Sequence, residues 1–273
     1  MTVVATIISR HATAHASDSF ITSLTRGGNR HIEEARRTKI VAVPHWRGIM
    51  AYYGLAQVSA RKWSTLNWLR AQASTASKYA DPETFAQTLA IDLQRALRSM
   101  GLDKNPAAGI GIHFSVYERI ENYWIPELFH ITNWTNTDYD TLRGDGITSS
   151  RQTYGNLNLS EPPPSLSPTE QRLLVREFLR RGGMFIFNNG DPFLFNPVAQ
   201  GIFAGMRTLS QRGWLASSDQ ARLLRQLSAT PIRVVSQLHR GFSKKGRRVV
   251  GGIIHNISIT PTGIYDSDTG DCP

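Results

Sequence analysis

Short apolar, β-branched runs separated by polar breaks dominate the start of the chain. Thr2 to Ser9 reads TVVATIIS, Arg10-His11 interrupts it, and Thr13 to Ser17 resumes with alternation before Asp18. Two such runs across so short a break predict a β-hairpin. The polar stretch Thr25 to Arg37, with Gly27-Gly28 and mixed charges, reads as an exposed loop. A second strand pair follows, Lys39 to Val43 and Ile49 to Tyr53, around the turn Pro44 to Gly48. Runs this continuously apolar fit strands covered on both faces. Helical spacing is expected after Gly54, where Val58, Trp63, Leu66, Leu69 and Ala73 recur with Arg61, Lys62 and Arg70 between them. Asp81-Pro82-Glu83 is a helix start, an acidic N-cap followed by proline. Phe85, Leu89, Leu93 and Leu97 then form one apolar stripe ending at Met100-Gly101. Ala108 to Tyr117 and Ile125 to Trp134 read as two further strands.

The polar, turn-rich segment from Thr135 to Pro168 reads as a linker or a long insertion. A basic amphipathic helix is expected from Pro168 to Arg181, stopped by Gly182-Gly183. Further helices are expected within Asp191 to Leu209, at Ser218 to Leu227 and at Ile232 to Leu238. Val249 to Ile259 and a short run at Ile264-Tyr265 close the chain as strands. No repeat of 20–50 residues is visible, which argues against a solenoid or a propeller. Strands, paired helices, strands, helices and strands again predict an α+β fold in which helices cover two layers of sheet.

Composition supports a globular chain: 273 residues, 40% hydrophobic and 19% charged. The net charge of +10, from 31 Lys+Arg against 21 Asp+Glu, raises nucleic acid as a partner. Its cations cluster at Ser243 to Arg248, beside Phe242, and on the helix from Arg172 to Arg181. The single cysteine, Cys272, excludes an internal disulfide framework and a Cys-based zinc site. No apolar run is long enough for a membrane helix, and the opening residues lack the features of a signal peptide, so a cytoplasmic protein without membrane contact is expected. Phosphate-loop, zinc-protease and serine-elbow motifs are missing, and Gly109-Ile110-Gly111 leads into a strand rather than a helix. His113 and His130 lack ligand spacing and read as structural histidines. No metal or cofactor is expected.

Thr2 is the remaining source of chemistry. Removal of Met1 would leave its α-amine and β-hydroxyl on one residue, and the amine can serve as base toward the hydroxyl. The stretch TVVATIISRHATAHASDS resembles the opening of proteasome β-subunits and their bacterial relatives among the N-terminal-nucleophile hydrolases. In that family a nucleophilic threonine begins one strand and an Asp-Ser pair ends the next, sixteen residues on, as Thr2 and Asp18-Ser19 do here. Lys39-Ile40-Val41 and the run from Gly48 to Ala56 resemble the family's lysine and the glycine turn that follows. The likeness spans residues 2 to 133 well, and 190 to 265 more loosely through Val250-Gly251-Gly252.

The resemblance implies a four-layer α-β-β-α sandwich of two antiparallel sheets. It implies one domain over 1–273, with an insertion at about 135–168 and a polar tail from about 266. Thr2 would be the nucleophile, with its amine as base. Lys39 would ease formation of the alkoxide, and Asp18 would keep that lysine charged and oriented. The N–H of Gly54 would stabilise the oxyanion; a shift of one residue in alignment would give that place to Tyr53. Ser19 is an auxiliary residue, and Ser149 and Ser150 are the nearest matches to a further family serine. Amide substrates, peptides first among them, and a homo-oligomeric assembly are implied with them. Two positions depart from the pattern: Arg247 and Val250 stand where proteolytic members carry aspartate and serine. A catalytically impaired structural or interaction subunit is therefore the alternative, and a nucleic-acid-binding protein a further one.

Overall fold

Thirteen strands and five α-helices make up the described part of the computed structural model, which covers residues 3–24, 30–34, 38–135, 142–157, 166–190, 194–212, 220–242 and 250–265. In chain order the first half holds β1 (Val4–Ile8), β2 (Thr13–Ser17), β3 (Phe20–Leu24), β4 (Arg30–Glu34), β5 (Ile40–Val43), β6 (Gly48–Val58), β7 (Trp63–Ser64), α1 (Thr65–Ala73) and α2 (Pro82–Ser99). The second half holds β8 (Ile110–Ile120), β9 (Tyr123–Thr132), β10 (Thr148–Arg151), α3 (Pro168–Arg180), β11 (Phe185–Asn189), α4 (Phe195–Gln211), α5 (Gln220–Phe242), β12 (His255–Thr260) and β13 (Gly263–Tyr265).

The strands form two sheets. One has the order β11-β1-β2-β12-β13; the other runs β10-β9-β8-β6-β3-β4, with β5 and β7 also pairing β6. Every pairing is antiparallel except β3 with β6. Three apolar layers separate four layers of structure. Leu69, Phe85, Leu89, Leu93 and Leu97 of α1 and α2 pack on Met50, Ile112, Phe114 and Phe129 of one sheet. Val4, Ile49, Ala51, Tyr53 and Ile257 fill the space between the sheets. Phe195, Phe203, Ile232 and Val235 of α4 and α5 cover Ala5, Ile7 and Ala14 of the other sheet. The result is the α-β-β-α sandwich.

Helix starts follow local chemistry. An Asp81 oxygen accepts from the Thr84 backbone N–H at 2.8 Å and Pro82 fills the first turn, so α2 begins where an orphan donor is satisfied and a missing one costs nothing. In α3, Ser167 and Glu170 form a reciprocal capping box. Arg172 of α3 reaches Glu118 at 2.8 Å, while Arg151 of β10 meets Glu83 at 2.9 Å and buried Glu127 at 3.2 Å. These pairs fasten α3, α2 and β10 to the β8–β9 hairpin.

Several elements differ from the sequence expectation. The stretch Thr25 to Arg37 contains a strand, β4, at the sheet edge. Helix formation does not begin after Gly54: β6 continues to Val58, and α1 starts at Thr65 once Ser64 caps it. The segment from 135 to 168 includes β10, which adds an edge strand beside β9. The two helices expected on either side of residue 230 are one, α5, continuous through Pro231. Strand β11, which pairs with β1, has no counterpart in the sequence expectation.

Candidate functional site

The β1–β2 hairpin pairs Val4 with Ser17, and that register continues by one step to bring Val3 opposite Asp18. The Val3 backbone N–H donates to Asp18 Oδ1 at 3.1 Å. Lys39 Nζ donates to the same oxygen in an ion pair, and both side chains are fully buried. The β5–β6 hairpin sets the lysine's position, because the Lys39 carbonyl accepts from the Tyr52 N–H at 3.2 Å. On the opposite side, Gly251 N–H donates to Asp18 Oδ2 at 3.3 Å. Ser19 completes the clamp: its N–H donates to the Gly251 carbonyl at 3.3 Å, and its Oγ accepts from Ile253 N–H at 2.9 Å.

Burial pushes the Lys39 ammonium below the ordinary lysine value, and the adjacent Asp18 carboxylate opposes that shift. A lysine lowered this way gives up a proton more readily than a solvated one while still pairing with a carboxylate. His255, on β12 across from Ser17, is also lowered, first by burial and then by the charge of Lys39. It is a neighbour of the pair that sequence reasoning missed; its place at the head of a strand carried no motif.

Gly54 sits on β6 beyond the residue that binds Lys39. Its φ of +86° is a glycine conformation, and a Cβ there would lie 2.3 Å from the Gly109 carbonyl oxygen. Close backbone approach therefore requires glycine at 54 whatever chemistry occurs nearby. Tyr53, its neighbour, is buried, and its hydroxyl pairs with His130 Nε2 at 2.8 Å. Ser149 and Ser150 are not brought to the ion pair. They lie on β10, four strand spacings from β5, which is roughly 19 Å at about 4.8 Å per strand. Thr2, Arg247, the basic cluster 243–248 and Cys272 lie outside the described residues. Val250 is buried in the apolar layer under α4 and α5.

A second polar cluster lies between the sheets. Thr6 Oγ1 is bonded to His113 Nδ1 at 2.8 Å and to His15 Nδ1 at 3.1 Å. His15 Nε2 meets Ser115 Oγ at 2.8 Å, and His113 Nε2 meets Asn189. Burial lowers all three imidazoles, His113 to about 4 and His130 to about 3, with His15 well below its usual value. These are neutral structural histidines, as the strand context of His113 and His130 predicts; His15 is an unforeseen third. Among the described residues, no group of three or more His, Cys, Asp or Glu could hold a metal ion. No described helix is long and apolar enough to cross a membrane.

The layer order and the helix pairs on both outer faces define a proteasome-subunit-like sandwich, and comparison with solved structures agrees. The chain is similar to Anbu (ancestral beta-subunit) from Yersinia bercovieri, with a TM-score of 0.52 and 15% sequence identity over 100% of this chain and 89% of that one. At that identity the likeness establishes the fold. No protein-family model and no curated protein sequence matches the chain.

Proposed function

We propose that the chain is a threonine-type N-terminal-nucleophile hydrolase that cleaves amide bonds, with peptides as the first substrates to test. The observation that supports this reading is the buried Asp18–Lys39 pair joined to the backbone of Val3, the residue after Thr2. In this reading the Met1–Thr2 bond is cut first, freeing the Thr2 amine. The Thr2 hydroxyl oxygen attacks the substrate carbonyl carbon, and its proton passes to the amine, directly or through water. Lys39 stabilises the developing alkoxide, and Asp18 holds the lysine in place. Gly54 N–H is the proposed oxyanion donor, with Tyr53 the neighbouring alternative. Ser19 acts by holding the 251–253 turn against Asp18. Collapse of the adduct breaks the C–N bond, the leaving amine takes a proton, and water then hydrolyses the threonyl ester. Ser149 and Ser150 receive no role, being on the remote edge strand. The chain is proposed to be one domain and to assemble as a homo-oligomer, in keeping with the word subunit in its structural neighbour's name.

A second reading, a fold-preserving subunit without activity, is favoured by buried apolar Val250 at a position where proteolytic members carry serine. Intact-mass measurement with an N-terminal-threonine-directed covalent probe separates the two. The hydrolase reading expects loss of Met1 and one adduct per chain, abolished by Thr2→Ala. Retention of Met1, or an exposed Thr2 that never labels, would overturn it in favour of the inactive subunit.

A further inference from the structure

Far from the ion pair, five residue steps along β5 and thus roughly 17 Å from Lys39, the chain enters the turn Pro44–Trp46 and borders a cavity of about 510 Å³. That size falls within the usual range of small-molecule sites. Trp46, Tyr117 and Trp124 give it planar apolar walls, and Arg47, Arg119 and Arg172 supply cations. The Arg47 guanidinium lies 4.0 Å from the centre of the Trp124 ring. At the tip of the same β8–β9 hairpin, Arg176 lies 3.4 Å from the centre of Tyr123. Trp124 and Tyr123 remain 36% and 41% exposed, so their rings are open to solvent.

The charges in this region are unequally committed. Of the two acids in the wall, Asp81 is engaged by the N–H and hydroxyl of Thr84, at 2.8 and 2.7 Å. Glu118 is paired to Arg172 at 2.8 Å and to Arg151 at 3.4 Å. Arg47, Arg119 and Arg176 make no ion pair among the described residues. The Trp46 and Trp124 rings and the Arg47 and Arg119 guanidinium groups thus line one cavity whose carboxylates are already occupied. Arg47 stacks on Trp124 and Arg119 donates to the Glu121 carbonyl at 3.4 Å, but neither has a counter-charge among the described residues, and the Tyr123–Arg176 pair lies outside that lining. The complementary ligand carries a planar ring and an anion a few bonds away. Aromatic residues interleaved with arginine are how bases and phosphates are held together.

We propose that this cavity binds a nucleoside phosphate, its base against the Trp46–Trp124 walls and its phosphate on Arg47 and Arg119. The ligand is either a free mononucleotide or the end of a single strand whose next base reaches the Tyr123–Arg176 pair. The site is independent of the proposed hydrolytic centre. It also places nucleic-acid chemistry on different residues from the 243–248 cluster that the sequence draws attention to.

The test is titration of the intact protein at low ionic strength with adenosine monophosphate by calorimetry, and with a labelled ten-nucleotide oligoadenylate by anisotropy. Trp124→Leu and Arg119→Ala alter exposed side chains, and circular dichroism checks that both variants keep the fold. Each is expected to weaken binding by about fivefold or more, the scale of one lost base stack or phosphate contact. Saturable mononucleotide binding indifferent to Tyr123→Ala identifies the free nucleotide. Tighter oligonucleotide binding, weakened by Tyr123→Ala, identifies the strand end. The proposal is overturned by no saturable binding of either probe at millimolar concentration, by binding that survives both variants, or by preference for an acidic peptide over both.

Discussion

Replacing Asp18 by asparagine keeps the side chain's shape but leaves a fully buried lysine without its counter-charge. Two independent estimates give the cost. Breaking one side of a buried ion pair costs about 3–5 kcal/mol. Alternatively, the variant can bury Lys39 neutral, which at pH 7 means removing a proton from a group whose unfolded value is about 10.4. At 1.36 kcal/mol per unit over 3.4 units, that is roughly 4.6 kcal/mol. The agreement makes neutralisation the expected response, and it carries a pH signature. The unfolded variant holds one more proton than the folded one from pH 7 up to about 10, so its stability rises with pH, by about 1.4 kcal/mol per unit. The wild type, where Asp18 counters the effect of burial on Lys39, shows less of this slope. Urea unfolding followed by tryptophan emission at pH 7, 8 and 9 should show a gap between variant and wild type that narrows with pH. Adding Lys39→Met to the variant removes the buried amine and should recover most of the loss. A gap below about 1 kcal/mol, or one that does not change with pH, would refute the account of the pair.

Three neutral, buried imidazoles predict acid sensitivity of a different kind. Their folded values lie below the unfolded value of about 6.5, so their contribution is complete above that pH and is lost as pH falls toward 4 and below. With three sites the loss approaches about 4 kcal/mol per pH unit in that window, so Tm should drop steeply between pH 6 and 4; a flat Tm there would contradict the burial of the cluster. Gly54→Ala should cost at least about 1–2 kcal/mol through its positive φ and the close Gly109 carbonyl. Wild-type stability in that variant, measured by thermal melting, would refute the close approach, and its loss of activity alone would say nothing of an oxyanion.

The parts of the fold legible in the sequence are those where local chemistry and tertiary context agree. The β1–β2 hairpin is a β-branched apolar run and an alternating run across a short polar break, and α2 and α3 carry caps and apolar stripes that their neighbours then bury. β4 was hidden because RHIEE is a polar edge strand, and its evidence lies in its pairing with β3 rather than in its own pattern. The apolar run after Gly54 fits a strand or a helix equally well, and pairing with β3, β7 and β8 decides for the strand. Pro231 reads as a boundary, yet buried Ala229, Ile232 and Val235 hold α5 together across it. Asp18 and Lys39 could be singled out only by resemblance. The Val3 and Gly251 contacts are backbone bonds that leave no side-chain signature, so they were invisible until the chain was folded.

That last bond has a consequence for timing. Asp18 can meet Val3 and Lys39 as soon as the β1–β2 and β5–β6 hairpins exist, but its second oxygen is satisfied by an N–H 233 residues further along the chain. The carboxylate is therefore half-ligated through most of synthesis and reaches its final coordination only when β12 closes beside β2. Completion of the charged centre and completion of the sheet are one event. A chain released early, or cut before its last strands, would carry the acid and the lysine without the clamp that aligns them.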